Sequence, residues 1–319
     1  MVLWYVAVVV AGLIALVWSA DIFVDGASAI AKRAGLTPML IGLTIVSIGT
    51  SAPEILISVM AAMSGSGELA VGNALGSNIA NIGLVLGITL LVAPVAIGRA
   101  TAKVDLPLLV ASVLLTGILI IDSELSVADC LILLGALMCF FVRLAQHARH
   151  PDINSEARAI PTLPLGASLL SFVVGLLLLI GSSRALVWAA SLIATELGVS
   201  ELVIGLTIVA VGTSLPELAA SVVSALRGHA DMAIGAIVGS NMFNILLVLP
   251  IPGLWGGLPL ADEVFSRDLA TVFLTTLALA LIALKGWNDD SGVTELKKGS
   301  GFLLLTLYVG YYCWLFLKI

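Results

Sequence analysis

The sequence predicts an all-α integral membrane protein, with ten transmembrane helices arranged as two inverted five-helix repeats. Three observations predict it. The 319-residue chain is 60% hydrophobic and 11% charged, against roughly 45–50% apolar and about 25% charged in a soluble globular protein. The excess is gathered into ten apolar runs, each near the ~20 residues that cross a hydrocarbon core. And one stretch occurs twice: residues 42–58 read GLTIVSIGTSAPEILIS and residues 205–221 read GLTIVAVGTSLPELAAS, identical at 11 of 17 positions with an offset of 163.

The first half holds runs near 2–23, 36–63, 69–93, 104–121 and 127–145. The first run lacks a basic leader and a small-residue cleavage site, so it reads as a retained helix rather than a signal peptide. The second carries the duplicated motif, with Pro53 before Glu54. The third carries Gly72, Gly76, Ser77, Asn78 and Asn81, which the same offset maps onto Gly235, Gly239, Ser240, Asn241 and Asn244. The fourth begins at Asp105, an acidic residue that suits a helix N-terminus. The second half repeats the series near 162–184, 201–226, 232–252, 268–284 and 300–317. Ser19 maps onto Ser182, Gly35 onto Gly198 and Asp105 onto Asp268. An odd number of crossings per copy turns the second copy upside down, an arrangement that places a transporter's site at the repeat interface. The units are therefore 1–145 and 162–319, joined by a polar cytoplasmic linker over 146–161. Cys130, Cys139 and Cys313 lie within helices and read as buried, inert thiols.

Charge sets the orientation. With the N-terminus outside, eleven basic residues from Lys32 to Lys298 fall on the cytoplasmic side, and Arg267 and Lys318 fall outside. Cytoplasmic loops carry the excess of Lys and Arg, so both termini are expected outside. The basic residues serve as topology and headgroup anchors, not as a nucleic-acid patch. His147, His150 and His229, and the acidic Asp289, Asp290 and Glu295, read as solvated loop residues.

The chemistry sits on polar stripes. Thr44, Ser47, Ser51, Glu54 and Ser58 recur at helical spacing in an apolar rod, and so do Asn73, Ser77 and Asn81. Thr207, Ser214, Glu217 and Ser221 repeat the first stripe, and Ser240 and Asn244 repeat the second. Such stripes also serve as helix–helix contacts, but a carboxylate at the bilayer centre costs about 2.5–3.5 kcal/mol on insertion scales. No Lys or Arg lies at the depth of Glu54 and Glu217, so a cation or a proton must supply the counter-charge. Pro53 and Pro216 cannot bond the carbonyls of Gly49 and Gly212. Freed carbonyls near Thr50 and Thr213, the hydroxyls of Ser51 and Ser214 and two carboxylates make an all-oxygen shell of the kind Ca²⁺ takes. No His or Cys joins it, which disfavours zinc and copper.

GTSAPE with GNALGSNIAN, and GTSLPE with GAIVGSNMFN, resemble the two alpha-repeats of the calcium/cation antiporter superfamily, which includes the Na⁺/Ca²⁺ exchangers; the likeness is strongest to prokaryotic members. The resemblance implies a secondary active antiporter in a prokaryotic inner or plasma membrane, exchanging Ca²⁺ for Na⁺ by alternating access. It implies a functional monomer with no permanent cofactor. Glu54 and Glu217 would be the central Ca²⁺ carboxylates. Ser47, Thr50, Ala210 and Thr213 would offer backbone oxygens, and Ser51, Ser77, Ser214 and Ser240 hydroxyls. Asn81 would line the centre. Exchangers of this type typically carry Asp where this chain has Asn244, which leaves H⁺-coupled and K⁺-coupled exchange open. A cation channel would usually build its pore from oligomer symmetry. An intramembrane hydrolase would need a motif such as H-E-x-x-H or G-x-S-x-G, and neither occurs.

Overall fold

The computed structural model describes residues 2–148, 164–198, 208, 210–287 and 292–317. Helix α1 spans Val2–Ala34. It ends at Gly35, whose φ of +64° suits a residue without Cβ. Thr37 then accepts the Leu40 N–H at 3.2 Å, and Pro38 occupies the first turn of α2. Helix α2 (Pro38–Thr50) and α3 (Ala52–Met63) form one broken rod, bent by 45° at Ser51. The bend falls where Pro53 withdraws its N–H from the ladder.

Helices α4 (Gly67–Val92) and α5 (Thr101–Leu119) follow, then α6 (Val127–Ala148). The second half starts with α7 (Leu165–Glu196), which gives way to Gly198 at φ +80°, the repeat partner of Gly35. Its broken rod is described from α8 (Ala210–Thr213) into α9 (Leu215–Leu226). The chain closes with α10 (Ala230–Trp255), α11 (Val264–Lys285) and α12 (Lys298–Leu317). Among the described residues, eight helices are long and apolar enough to cross a bilayer, or nine if α2–α3 counts as one span. The seventh expected run begins in residues 199–207, outside the described residues, as do most of the expected linker and the Asp289–Asp290 pair.

Helices α1 and α7 run 33 and 32 residues, well past the expected ends near 23 and 184. Hydropathy falls at Asp21, Asp25 and Arg184, but helix propensity does not, and the two Asp carboxylates find a basic partner in Arg227. Four short strands were also not foreseen. β1 (Val95–Gly98) pairs antiparallel with β4 (Val293–Leu296), and β2 (Glu124–Leu125) pairs with β3 (Leu258–Pro259). Each ladder ties a loop of the first half to a loop of the second.

The core lies around α10 and α4. The apolar window of α10 is 94% buried and that of α4 72%, against 17% for α1 and 22% for α7. Leu75, Ile79, Ile82 and Leu86 of α4 meet Ile237, Phe243, Ile245 and Val248 of α10 in the main cluster. A second cluster joins Leu16, Ala20, Phe23 and Val24 of α1 to Leu179 of α7 and to Ala219, Ala220 and Val223 of α9. Gly235 and Gly239 let α10 lie directly on α2: a Cβ on Gly239 would meet the Leu43 carbonyl and the Ser47 hydroxyl. Leu3, Ile14, Ile118 and Leu177 face outward on the rim helices, as lipid-facing residues do. Cys130 is buried, but Cys139 and Cys313 are exposed on that outer surface, contrary to expectation.

Candidate ion-binding site

Both broken rods aim a carboxylate inward. Glu54 and Glu217 each sit in the first turn after a proline, on α3 and α9, and are 1% and 2% exposed. They lie within electrostatic reach of each other. Ser77 of α4 donates its hydroxyl to Glu54 Oε1 at 3.4 Å, and Ser51 donates to Glu217 Oε1 at 3.2 Å. Asn73 donates its amide N–H to the Glu54 backbone carbonyl at 3.2 Å and approaches Ser58 Oγ at 3.4 Å.

Of the expected set, Ser51, Ser77 and Thr50 lie against this pair. Ser47, Thr50, Ser51, Ser77, Asn81, Ser214, Ser240 and Asn244 are all buried. The hydroxyls of Ser47 and Thr50 donate back to the Thr44 and Val46 carbonyls at 3.1 Å each, and Thr50 also lies within hydrogen-bond reach of Glu217. Thr213 is half-buried at the end of α8. Ala210 opens α8, and Thr207 lies outside the described residues.

Several of these polar atoms have no hydrogen-bond partner among the described residues. They are Oε2 of both Glu54 and Glu217, both amide atoms of Asn81 and of Asn244, and the hydroxyls of Ser214 and Ser240. An unmade hydrogen bond in a buried group costs about 1–3 kcal/mol, so eight orphaned atoms clustered on facing helices are costly unless something coordinates them. The cluster offers two anionic and several neutral oxygens. No group of three or more His, Cys, Asp or Glu capable of holding a metal occurs among the described residues, so neutral oxygens must complete any shell. That donor set fits a hard cation.

Sequence reasoning missed three features. Asn81 and Asn244 each begin a π-helical turn, over Asn81–Leu86 and Asn244–Val248, a local unwinding often found at functional positions. The recurrence of Asn at the same offset could have flagged the pair, but no residue type encodes the turn itself. The Gly212 carbonyl left free by Pro216 accepts the Ser183 hydroxyl of α7 at 2.8 Å. Its repeat partner, Gly49, has Ala20 at the corresponding place, which cannot donate. Finally, Asp105 and Asp268 do not begin their helices as expected: they lie inside α5 and α11, four residues past Thr101 and Val264, and each meets an arginine. Arg143 pairs with Asp105 at 2.7 Å, and Arg267 meets Asp268 through two nitrogens, at 2.7 and 3.0 Å.

The family model described as sodium/calcium exchanger protein matches residues 4–145 and 167–317. A protein of Alkalimonas amylolytica named as an antiporter, CaxA, is 42% identical over 97% of both chains. The sodium/calcium exchanger MaX1 of Methanosarcina acetivorans is 30% identical over 96% of both chains. The solved structure of the sodium-calcium exchanger NCX_Mj, soaked with 2.5 mM Na⁺ and 0.1 mM Ca²⁺, superposes with a TM-score of 0.83 at 31% identity, covering 98% of this chain and 99% of that one.

Proposed function

Because the chain belongs to the sodium/calcium exchanger protein family and is a membrane cation/Ca²⁺ antiporter, we propose that it exchanges Ca²⁺ for Na⁺ by alternating access, with Glu54 and Glu217 as the carboxylates both ions share. The observation that carries this reading is the buried Glu pair whose Oε2 atoms have no partner among the described residues. Two carboxylates balance one Ca²⁺, two Na⁺ or two protons. An uncompensated pair is costly to carry through a low-dielectric barrier, so the site resists switching unless it is loaded. That requirement yields exchange rather than leak.

In this reading, Ser51, Ser77, Ser214 and Ser240 offer hydroxyls, Asn81 and Asn244 offer amide oxygens, and Ser47, Thr50, Ala210 and Thr213 offer backbone oxygens. The two halves are inverted five-helix repeats, 1–145 and 162–319. Supporting this are the family match in two segments, the paired positive-φ glycines Gly35 and Gly198, and the π turns that open at Asn81 and Asn244. Both termini lie outside a prokaryotic inner or plasma membrane, and one chain is the functional unit.

A second reading, proton-coupled exchange, draws support from Asn244: without a third carboxylate, two protons balance the Glu pair as fully as two Na⁺ do. The deciding experiment measures Ca²⁺ flux into proteoliposomes under Na⁺, K⁺ or H⁺ gradients imposed separately. Flux driven by the Na⁺ gradient with pH clamped supports Na⁺ coupling. Flux driven only by the pH gradient or only by K⁺ replaces it.

A further inference from the structure

The helix pair α1–α7 is bound to the rest of the molecule unevenly. Glycines bring the two helices into contact: a Cβ on Gly175 would meet the Phe23 backbone, and one on Gly26 would meet that of Phe172. The pair then leans on the second half. Ala20, Phe23 and Val24 of α1 pack with Ala219, Ala220 and Val223 of α9, while α7 makes no comparable seam with α3 among the described residues. At the end of α9, Arg227 reaches back to α1 and pairs with both Asp21 and Asp25. Ser183 adds the hydrogen bond from α7 to Gly212 at the second break.

The repeat offset shows that this arrangement has no mirror image. Arg227 corresponds to Ser64, Asp21 to Arg184 and Asp25 to Trp188. Ser64, Arg184 and Trp188 contain no opposite-charge pair, so α7 and α3 cannot form the same ion pairs when they approach each other. In an inverted-repeat antiporter the two access states exchange the roles of the halves. A perfectly symmetric chain would populate them equally, whereas an interaction available in only one state shifts the equilibrium by its own free energy.

We propose that Arg227 with Asp21 and Asp25 is a one-sided latch. It holds α1–α7 against α9 and biases the exchanger toward the access state in which that seam is closed. The inference rests on the alternating-access reading above, but not on which counter-ion is used.

The test uses Ca²⁺/Ca²⁺ self-exchange in oriented vesicles, which needs no counter-ion, with half-saturation measured from each face. Removing a partly exposed pair shifts a two-state balance by about two- to fivefold. Arg227→Gln and Asp21→Asn/Asp25→Asn are each expected to change the ratio of the two half-saturations by that factor. Wild-type protein is expected to drift the same way as choline chloride screens the pair. Arg227→Lys is expected to keep most of the bias, which separates a latch from a general loss of fold. In a background with the three native cysteines changed to Ser, Asp25→Cys/Arg227→Cys is expected to be bridged by a bifunctional methanethiosulfonate, each thiol displacing methanesulfinate, which stops exchange until the bridge is reduced. Ratios unchanged in Arg227→Gln and in the double Asn variant, or full exchange in cross-linked protein, would overturn the latch while leaving antiport intact. Absence of self-exchange in the wild type would sink the transport reading and the latch with it.

Discussion

Ser51, in the first half of the chain, donates its hydroxyl to Glu217, in the second, at 3.2 Å. The repeat would place the reciprocal bond between Ser214 and Glu54, yet the Ser214 hydroxyl has no partner among the described residues. Glu54 is held instead by Ser77 of its own half. The two carboxylates are therefore equivalent in sequence and unequal in surroundings. One is tied across the interface between halves, and the other is tied within its own half.

Neutralising either carboxylate removes half of the charge that balances a divalent cation. Glu54→Gln and Glu217→Gln keep volume and hydrogen-bonding capacity, so both variants are expected to fold and to lose Ca²⁺ transport by at least about a hundredfold, the effect of ~3 kcal/mol of lost charge-assisted binding. Vesicle uptake of labelled Ca²⁺, beside size-exclusion profiles, checks it. Wild-type uptake in either variant sinks the site assignment.

The inequality of the two serines should be measurable. Ser51→Ala deletes a hydrogen bond to a charged group, worth about 1.5–3 kcal/mol, so Ca²⁺ half-saturation is expected to change by roughly tenfold or more. Ser214→Ala deletes a hydroxyl with no partner among the described residues. Any effect it has must come from a direct contact with the ion, and that effect should grow as Ca²⁺ replaces a monovalent cation. Equal changes for both ions in Ser214→Ala would remove this hydroxyl from the shell.

Asn244→Asp restores a third carboxylate beside an already crowded pair. With two Glu, exchange of two Na⁺ for one Ca²⁺ carries no net charge, and flux is expected to be insensitive to an imposed membrane potential. The Asp variant is expected to bind a further monovalent cation, giving a steeper Na⁺ dependence and a flux that responds to potential. Potential-sensitive flux in the unmodified protein would show that two carboxylates do not set the charge carried per cycle.

Much of this was legible in the sequence because membrane helices declare themselves by apolar length, and a duplicated PE dipeptide cannot be dispersed by chance across two helices. Glu54, Glu217, Ser77 and Asn81 were found that way. What stayed hidden depends on tertiary contact or on backbone geometry. Helix α1 outran its hydropathy because Asp21 and Asp25 meet Arg227, 202 positions away from Asp25. The π turns at Asn81 and Asn244 are a hydrogen-bond register that no residue type marks. Ser183 was passed over because its stripe partner, Ala20, is apolar. The four strands were too short to show a period of two.

The Asp105–Arg143 pair joins α5 to α6, and Arg267 lies beside Asp268 within α11. The Asp105 side chain is 4% exposed and its Arg143 partner 25%, while Asp268 and Arg267 are 12% and 19% exposed. Asp268 also accepts the Tyr311 hydroxyl at 3.0 Å. Breaking a buried pair strands the remaining charge at a cost of about 3–5 kcal/mol. Arg143→Gln is expected to cost part of that range, because Asp105, the more deeply buried of the two carboxylates, loses its basic partner. Arg267→Gln is expected to cost less, since Tyr311 still donates to Asp268. Thermal unfolding in detergent gives the order, and Ca²⁺ half-saturation should stay near wild type in both. If Arg143→Gln shifted half-saturation while leaving the unfolding temperature unchanged, Asp105 would belong to the transport site rather than to the scaffold.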